Sequence, residues 1–160
     1  MTQTRIDALT TRLEKGHQKT LAIFNSLTPE QWQEHLYENP TWRVQSLLVH
    51  FVSAEKQLLS LAQNVAAGGE GAPIDLDINQ FNASEQIRLG GNPLQELMKL
   101  LDEERGDTIA WVKTLDDVQL DRVGRHPLLG EVSVETLVNS IYGHQLFHMK
   151  DLMRLLGSAV

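Results

Sequence analysis

The sequence is 160 residues long, 41 % hydrophobic and 22 % charged, which suits one globular domain over residues 1–160 with a sizeable core and excludes a disordered tail. Its 21 acidic and 14 basic side chains give a formal charge of −7, and no Lys/Arg cluster could neutralise successive phosphates, so nucleic acid is not an expected partner. There is no cysteine, which excludes disulfides, thiol nucleophiles and thiolate metal sites and leaves nitrogen and oxygen as the only metal ligands.

The start, Met1-Thr2-Gln3-Thr4-Arg5, leads into a helix pattern rather than a signal peptide. No apolar run reaches the roughly 18 to 20 residues that span a bilayer, so no membrane association and a cytoplasmic location are expected. In the first long segment, residues 4–27, Ile6, Leu13, Thr20 and Leu27 recur seven apart, with Leu9, Gly16 and Ile23 between them, the stripe of a bundle helix. Thr28-Pro29-Glu30-Gln31 ends it and opens a short connecting helix through Trp32, with Thr28 and Gln31 as a capping box.

A second long helix is expected from about Thr41 to Gly68-Gly69, with Val44, Leu47, Phe51, Ala54, Leu58, Leu61 and Val65 as its stripe, since glycine readily takes the left-handed conformation past a helix end. Residues 68–92 form a long connection anchored by Ile74, Ile78 and Phe81, with a short helix over Ser84 to Leu89. Such a length points to a crossover or a functional lid. Asn92-Pro93-Leu94-Gln95 repeats the cap logic and opens a third long helix carrying Leu94, Leu97, Leu101, Trp111 and Leu115, which fades at Asp116-Asp117. After a loop containing Arg125-His126-Pro127 and Gly130, Ser133 caps a fourth helix running to Gly157 with Val134, Leu137, Val138, Ile141, Leu152 and Leu155 inward. Strand-like alternation is nearly absent, so the expected class is all-α, a four-helix bundle with a long connection between its second and third helices.

The fourth stripe, continued, calls for apolar residues at 144, 148 and 151, where the sequence has His144, His148 and Asp151. Residues four apart lie one above the other on a helix, so two imidazoles at that spacing suit a single ion. His50, between Leu47 and Ala54 on the second helix, is the natural third ligand. Separately hydrogen-bonded core histidines are the alternative, but they need a partner for each ring, whereas one metal ion satisfies all three.

The segments Trp42-Arg43-Val44-Gln45-Ser46-Leu47-Leu48-Val49-His50, then Glu55, and the late Gly143-His144-Gln145-Leu146-Phe147-His148 resemble the DinB-like (DinB/YfiT) superfamily of four-helix-bundle metalloenzymes, related to mycothiol-dependent maleylpyruvate isomerase. The resemblance spans nearly the whole chain and implies a three-histidine metal site at His50, His144 and His148. It also contributes to the expectation of a homodimer, as does the prevalence of two-fold oligomers.

Three imidazoles leave a coordination position open for water or substrate. A divalent ion there would lower the pKa of its water towards about 7 or present a thiolate. Zinc and nickel suit this donor set best, iron less well. Glu55 and Asp151 are the candidate acid–base or orienting groups; Glu55 otherwise reads as a solvated helix carboxylate. Glu104 reads as an exposed edge residue, His17 as a core-edge histidine, His35 as surface and His126 as a residue of the pocket mouth. Trp42 and Trp111 read as core or pocket wall. Two functional classes follow: a metal-dependent hydrolase or thiol-dependent transferase acting on a small molecule such as a thiol, or a non-catalytic metal- or ligand-binding bundle.

Overall fold

The chain forms, in order, α1 (Thr2–Ser26), α2 (Pro29–Trp32), β1 (His35–Glu38), β2 (Thr41–Arg43), α3 (Val44–Ala66), α4 (Ile78–Leu89), α5 (Leu94–Val112), α6 (Asp117–Asp121), β3 (Val123–His126), β4 (Gly130–Ser133) and α7 (Val134–Leu155). The structure is a computed structural model that describes residues 1–157. The four long helices α1, α3, α5 and α7 are those the periodicity predicts.

Local chemistry sets most helix ends. Thr28 and Gln31 form the expected reciprocal capping box on α2. The Ser133 hydroxyl accepts from the Thr136 amide at 3.2 Å. Gly68 takes a φ of +97° just past α3, the left-handed region that a side chain resists. The start of α5 departs from expectation: Pro93 holds the cap position without a side-chain hydrogen bond, and the Asn92 amide turns back to the Leu89 carbonyl at the end of α4.

The core has two halves, and their membership gives the helix directions. One joins Phe24, Val44 to Val52, Leu97, Leu101, Met149 and Leu152. The other joins Ile6, Leu9, Leu13, Leu58 to Ala66, Val112, Leu115 and Val134 to Ile141. Hence α3 and α5 run parallel, α7 runs antiparallel to both, and α1 is parallel to α7. Both α1 and α3 pack against α5 and α7, so α1 and α3 occupy opposite corners, as do α5 and α7. Parallel neighbours cannot be joined by a tight turn. The link from α3 to α5 must return along 23 residues of α3, about 35 Å at 1.5 Å per residue. Of the two readings of this connection, crossover or lid, the structure has a crossover, and α4 lies within it, packed on α3.

Two antiparallel hairpins replace segments read as helix or loop. In the first, Tyr37 pairs with Trp42 and Glu38 with Thr41, so α3 begins at Val44 rather than near Thr41. In the second, Val123 to His126 pair with Ser133 to Gly130. Strands of three or four residues are too short to show a period of two. Each hairpin bridges a diagonal of the bundle, from α1 to α3 and from α5 to α7. Helix α4 starts at Ile78, where the Asp77 carboxylate accepts from the Gln80 amide, not at Ser84. Ile74, expected as an anchor, is 85 % exposed, whereas Ile78 and Phe81 are half-buried. The short α6 was also not foreseen; Arg5 ties it to α1 and α7 through Asp117, Asp121 and Glu135.

Candidate metal centre

Helix α3 is covered by α4, α5 and α7, which is why it is buried on nearly every face from Val44 to Glu55. His50 projects from this covered helix towards α7, where His144 and His148 stack one turn apart. One ring nitrogen from each histidine lies within 4.8 Å of the others, and the Nε2 atoms of His50 and His144 are 2.8 Å apart. The rings of Trp42 and Phe51 pack around the trio, Trp42 with its centroid 4.8 Å from that of His50. The three histidines that the periodicity singles out therefore lie together in the structure.

These surroundings hold the imidazoles neutral. Burial, reinforced by His144 and His148, lowers the His50 pKa to about 2. Burial, with His148 and His126, lowers that of His144 to about 4. His148 is lowered by burial and partly restored by Asp151. Neutral imidazole is the metal-binding form.

His148 is held by a residue that sequence reasoning missed. Its Nδ1 lies 2.8 Å from the Tyr37 hydroxyl, which itself donates to Asp151 Oδ2 at 2.6 Å. The single phenolic proton is thereby used, so Tyr37 oxygen accepts from Nδ1–H of His148 and the Nε2 lone pair faces the trio. Asp151 also accepts from Arg154, and its link to the cluster runs through Tyr37. No sequence signal marked Tyr37, because its strand is too short to be periodic.

The donor set fits a divalent ion. Two nitrogens of neutral rings, His50 Nε2 and His144 Nε2, meet at 2.8 Å, and one of His148 lies within 4.8 Å of the ligand atoms of both. A tetrahedral ion with bonds of about 2.0–2.1 Å needs ligand nitrogens about 3.3 Å apart, a spacing within the range that the trio spans.

Glu55 is not solvated. Its carboxylate is fully buried, held by Arg105 at 2.7 and 2.9 Å, by the Thr108 hydroxyl at 2.9 Å and by the Gln145 amide at 3.2 Å. Arg105, 1 % exposed, also donates to the Leu13 carbonyl. This knot joins all four long helices beside the trio. Arg105 and Thr108 were legible in principle, since they continue the stripe Leu97, Leu101, Val112 on α5. His17 is the expected core-edge residue, with Nε2 2.8 Å from Asp102. Glu104 is half-buried and His35 exposed. Trp42 forms a wall of the site, and Trp111 packs on the core.

A cavity of about 450 Å³ opens onto His50 and His144. Leu58 on α3, Ile78 and Asn82 on α4, Leu129 beyond β3 and Phe147 on α7 are among its walls. His126, expected at the pocket mouth, lines it too. It reaches there because Gly124 lets β3 lie against α3: a Cβ at that position would stand 2.4 Å from Val65 Cγ2.

Fold and cluster together define a class, a four-helix bundle with three histidines converging on a position suited to a divalent ion. The chain belongs to the DinB superfamily, whose sequence profile matches residues 12–152. Among curated proteins none matches. Solved structures share the fold. YfiT from Bacillus subtilis, described as a probable metal-dependent hydrolase with an unusual four-helix bundle topology, superposes with a TM-score of 0.73 at 19 % identity, over 96 % of this chain and 89 % of its own. The mycothiol-dependent maleylpyruvate isomerase gives 0.77 at 14 % identity, over 92 % of this chain but 60 % of the isomerase. A third, solved as a four-helix bundle protein, gives 0.66 at 20 % identity, over 96 % of this chain and 99 % of its own. At these identities the likeness is one of fold.

Proposed function

We propose that this protein is a metal-dependent enzyme, a hydrolase or thiol-dependent transferase, with His50, His144 and His148 as the ligands of one divalent ion, zinc or nickel before iron. The observation that carries this reading is the convergence of three neutral imidazole nitrogens within 4.8 Å at the wall of a cavity large enough for a small molecule. A bound ion would supply Lewis acidity to a ligand entering that cavity. The protein's own residues do the rest: Tyr37 and Asp151 orient His148, Trp42 and Phe51 pack around the trio, and the Glu55–Arg105 knot fixes α3 against α5. In this reading Asp151 acts through Tyr37, and Glu55 serves as a clamp because its oxygens are already engaged. The fold shared with YfiT, described as a probable metal-dependent hydrolase, and with the mycothiol-dependent maleylpyruvate isomerase supports this choice of classes. The protein is further proposed to work as a cytoplasmic homodimer.

One observation favours a second reading, a non-catalytic metal- or ligand-binding bundle: no carboxylate lines the cavity among the described residues, so no ready base stands there. Metal analysis tests the shared premise. About one divalent ion per chain is expected in the wild type and almost none in His50→Ala, His144→Ala or His148→Ala with their helices intact. Undiminished metal in any of the three would refute the site. A thiol-transfer and ester-hydrolysis screen of the loaded protein then separates enzyme from binding module.

A further inference from the structure

His126 ends β3 with its ring 8 % exposed, and the two sides of that ring are in different circumstances. Its Nδ1 accepts the backbone N–H of Leu128 at 3.0 Å and of Leu129 at 3.1 Å. A nitrogen that accepts carries a lone pair, so in the neutral ring the proton resides on Nε2. Burial lowers the His126 pKa, which maintains that neutral tautomer. Nε2–H finds no hydrogen-bond partner among the described residues, nor is it among their sealed, unpartnered atoms. The ring lines the same cavity as His50 and His144. A donor without a protein acceptor among the described residues thus belongs to a residue that lines a largely apolar cavity shared with His50 and His144.

We propose that His126 Nε2–H is the hydrogen-bond donor for the carbonyl oxygen of a mainly apolar acyl compound, such as an ester, thioester or amide, that fills this cavity beside His50 and His144. The walls supply the reason for apolar character. Leu58, Ile78, Leu129 and Phe147 offer apolar surface, and among the described residues no lysine or arginine lines the cavity, so a charge placed against those walls, away from the histidines, would go unpaired. A carbonyl oxygen satisfies the waiting N–H and keeps the rest of the molecule in apolar contact. The inference deepens the proposed function by naming its substrate class and rests on that reading for the ion alone; the His126 contact stands on the protein's own geometry.

The test uses hydrocinnamamide as probe and ring-nitrogen NMR of isotope-labelled protein, first chelator-treated and then loaded with zinc. In the free protein His126 is expected to show a bare Nδ1 and a protonated Nε2, and the probe should shift the Nε2–H signal. His126→Asn keeps an acceptor for the two turn amides, since Asn Oδ1 stands in for Nδ1, but withdraws the donor from the cavity. It should bind the probe about tenfold more weakly at unchanged melting temperature. Phenylpropylamine, with the same apolar body but a cation and no acceptor, should bind both proteins weakly. A protonated Nδ1 in the free protein, or equal probe affinity in wild type and His126→Asn, would overturn the proposal. Should His126→Asn fail to fold, the wild-type spectra decide, and an Nε2–H signal that saturating probe leaves unmoved overturns it. Failure to take up zinc sinks the metal reading and leaves the His126 result standing. Zinc uptake with probe binding indifferent to His126 sinks this inference alone.

Discussion

Tyr37 shows how one side chain outside the helices can govern the candidate centre. It accepts from His148 and donates to Asp151, so Tyr37→Phe removes the only acceptor for His148 Nδ1–H among the described residues while leaving the three imidazoles in place. Metal affinity should fall about 10- to 100-fold, the usual effect of losing a group that orients a ligand. Competition against a chromophoric chelator reads this directly, and an unchanged affinity would show the contact to be idle. The histidines also imply a pH dependence. Their pKa values are lowered in the folded state, so as pH falls the unfolded chain takes up protons first. The metal-free protein should keep its full stability above about pH 7 and lose it as pH falls from about 7 towards 4, by up to about 1.4 kcal/mol per pH unit for each of His50 and His144. Urea midpoints at about pH 7 and about pH 5 should differ more for the wild type than for His50→Phe. Equal differences would contradict a trio held neutral by burial.

At the level of elements, the Glu55–Arg105 pair does for the bundle what apolar packing does elsewhere, joining α3 to α5 while Leu13 and Gln145 bring in α1 and α7. Glu55→Ala leaves a guanidinium buried and unpaired, and should cost about 3–5 kcal/mol. Glu55→Leu combined with Arg105→Met should recover most of that loss, because both desolvated charges are then gone. Urea unfolding of the two variants checks the pattern, and a double variant as unstable as the single one would contradict it. The helices themselves were legible, because a stripe recurring every three or four residues over twenty or more positions is a strong signal. The hairpins were not, yet they carry Tyr37 and His126 to the site from opposite ends of the bundle. Their placement depends on close approach, as at Gly124 against Val65, rather than on any run of residues.

For the whole molecule, the proposed homodimer predicts a sedimenting species of twice 18.0 kDa at micromolar concentration. A species of 18.0 kDa alone would remove that proposal. No described helix is long and apolar enough to cross a membrane, in keeping with the one-sided stripes. Periodicity and residue type alone determined the four helices and the three histidines interrupting the inner faces, because each is a local pattern on a regular helix. Which corners the helices occupy, that Glu55 is clamped by Arg105 rather than solvated, that Asp151 is hydrogen-bonded to Tyr37 rather than to His148, and that His126 lines the cavity with Nδ1 held by two turn amides were decided by tertiary structure. Each depends on residues distant in sequence meeting at hydrogen-bond range, and a partner's position is set by packing across the bundle, which no local pattern encodes.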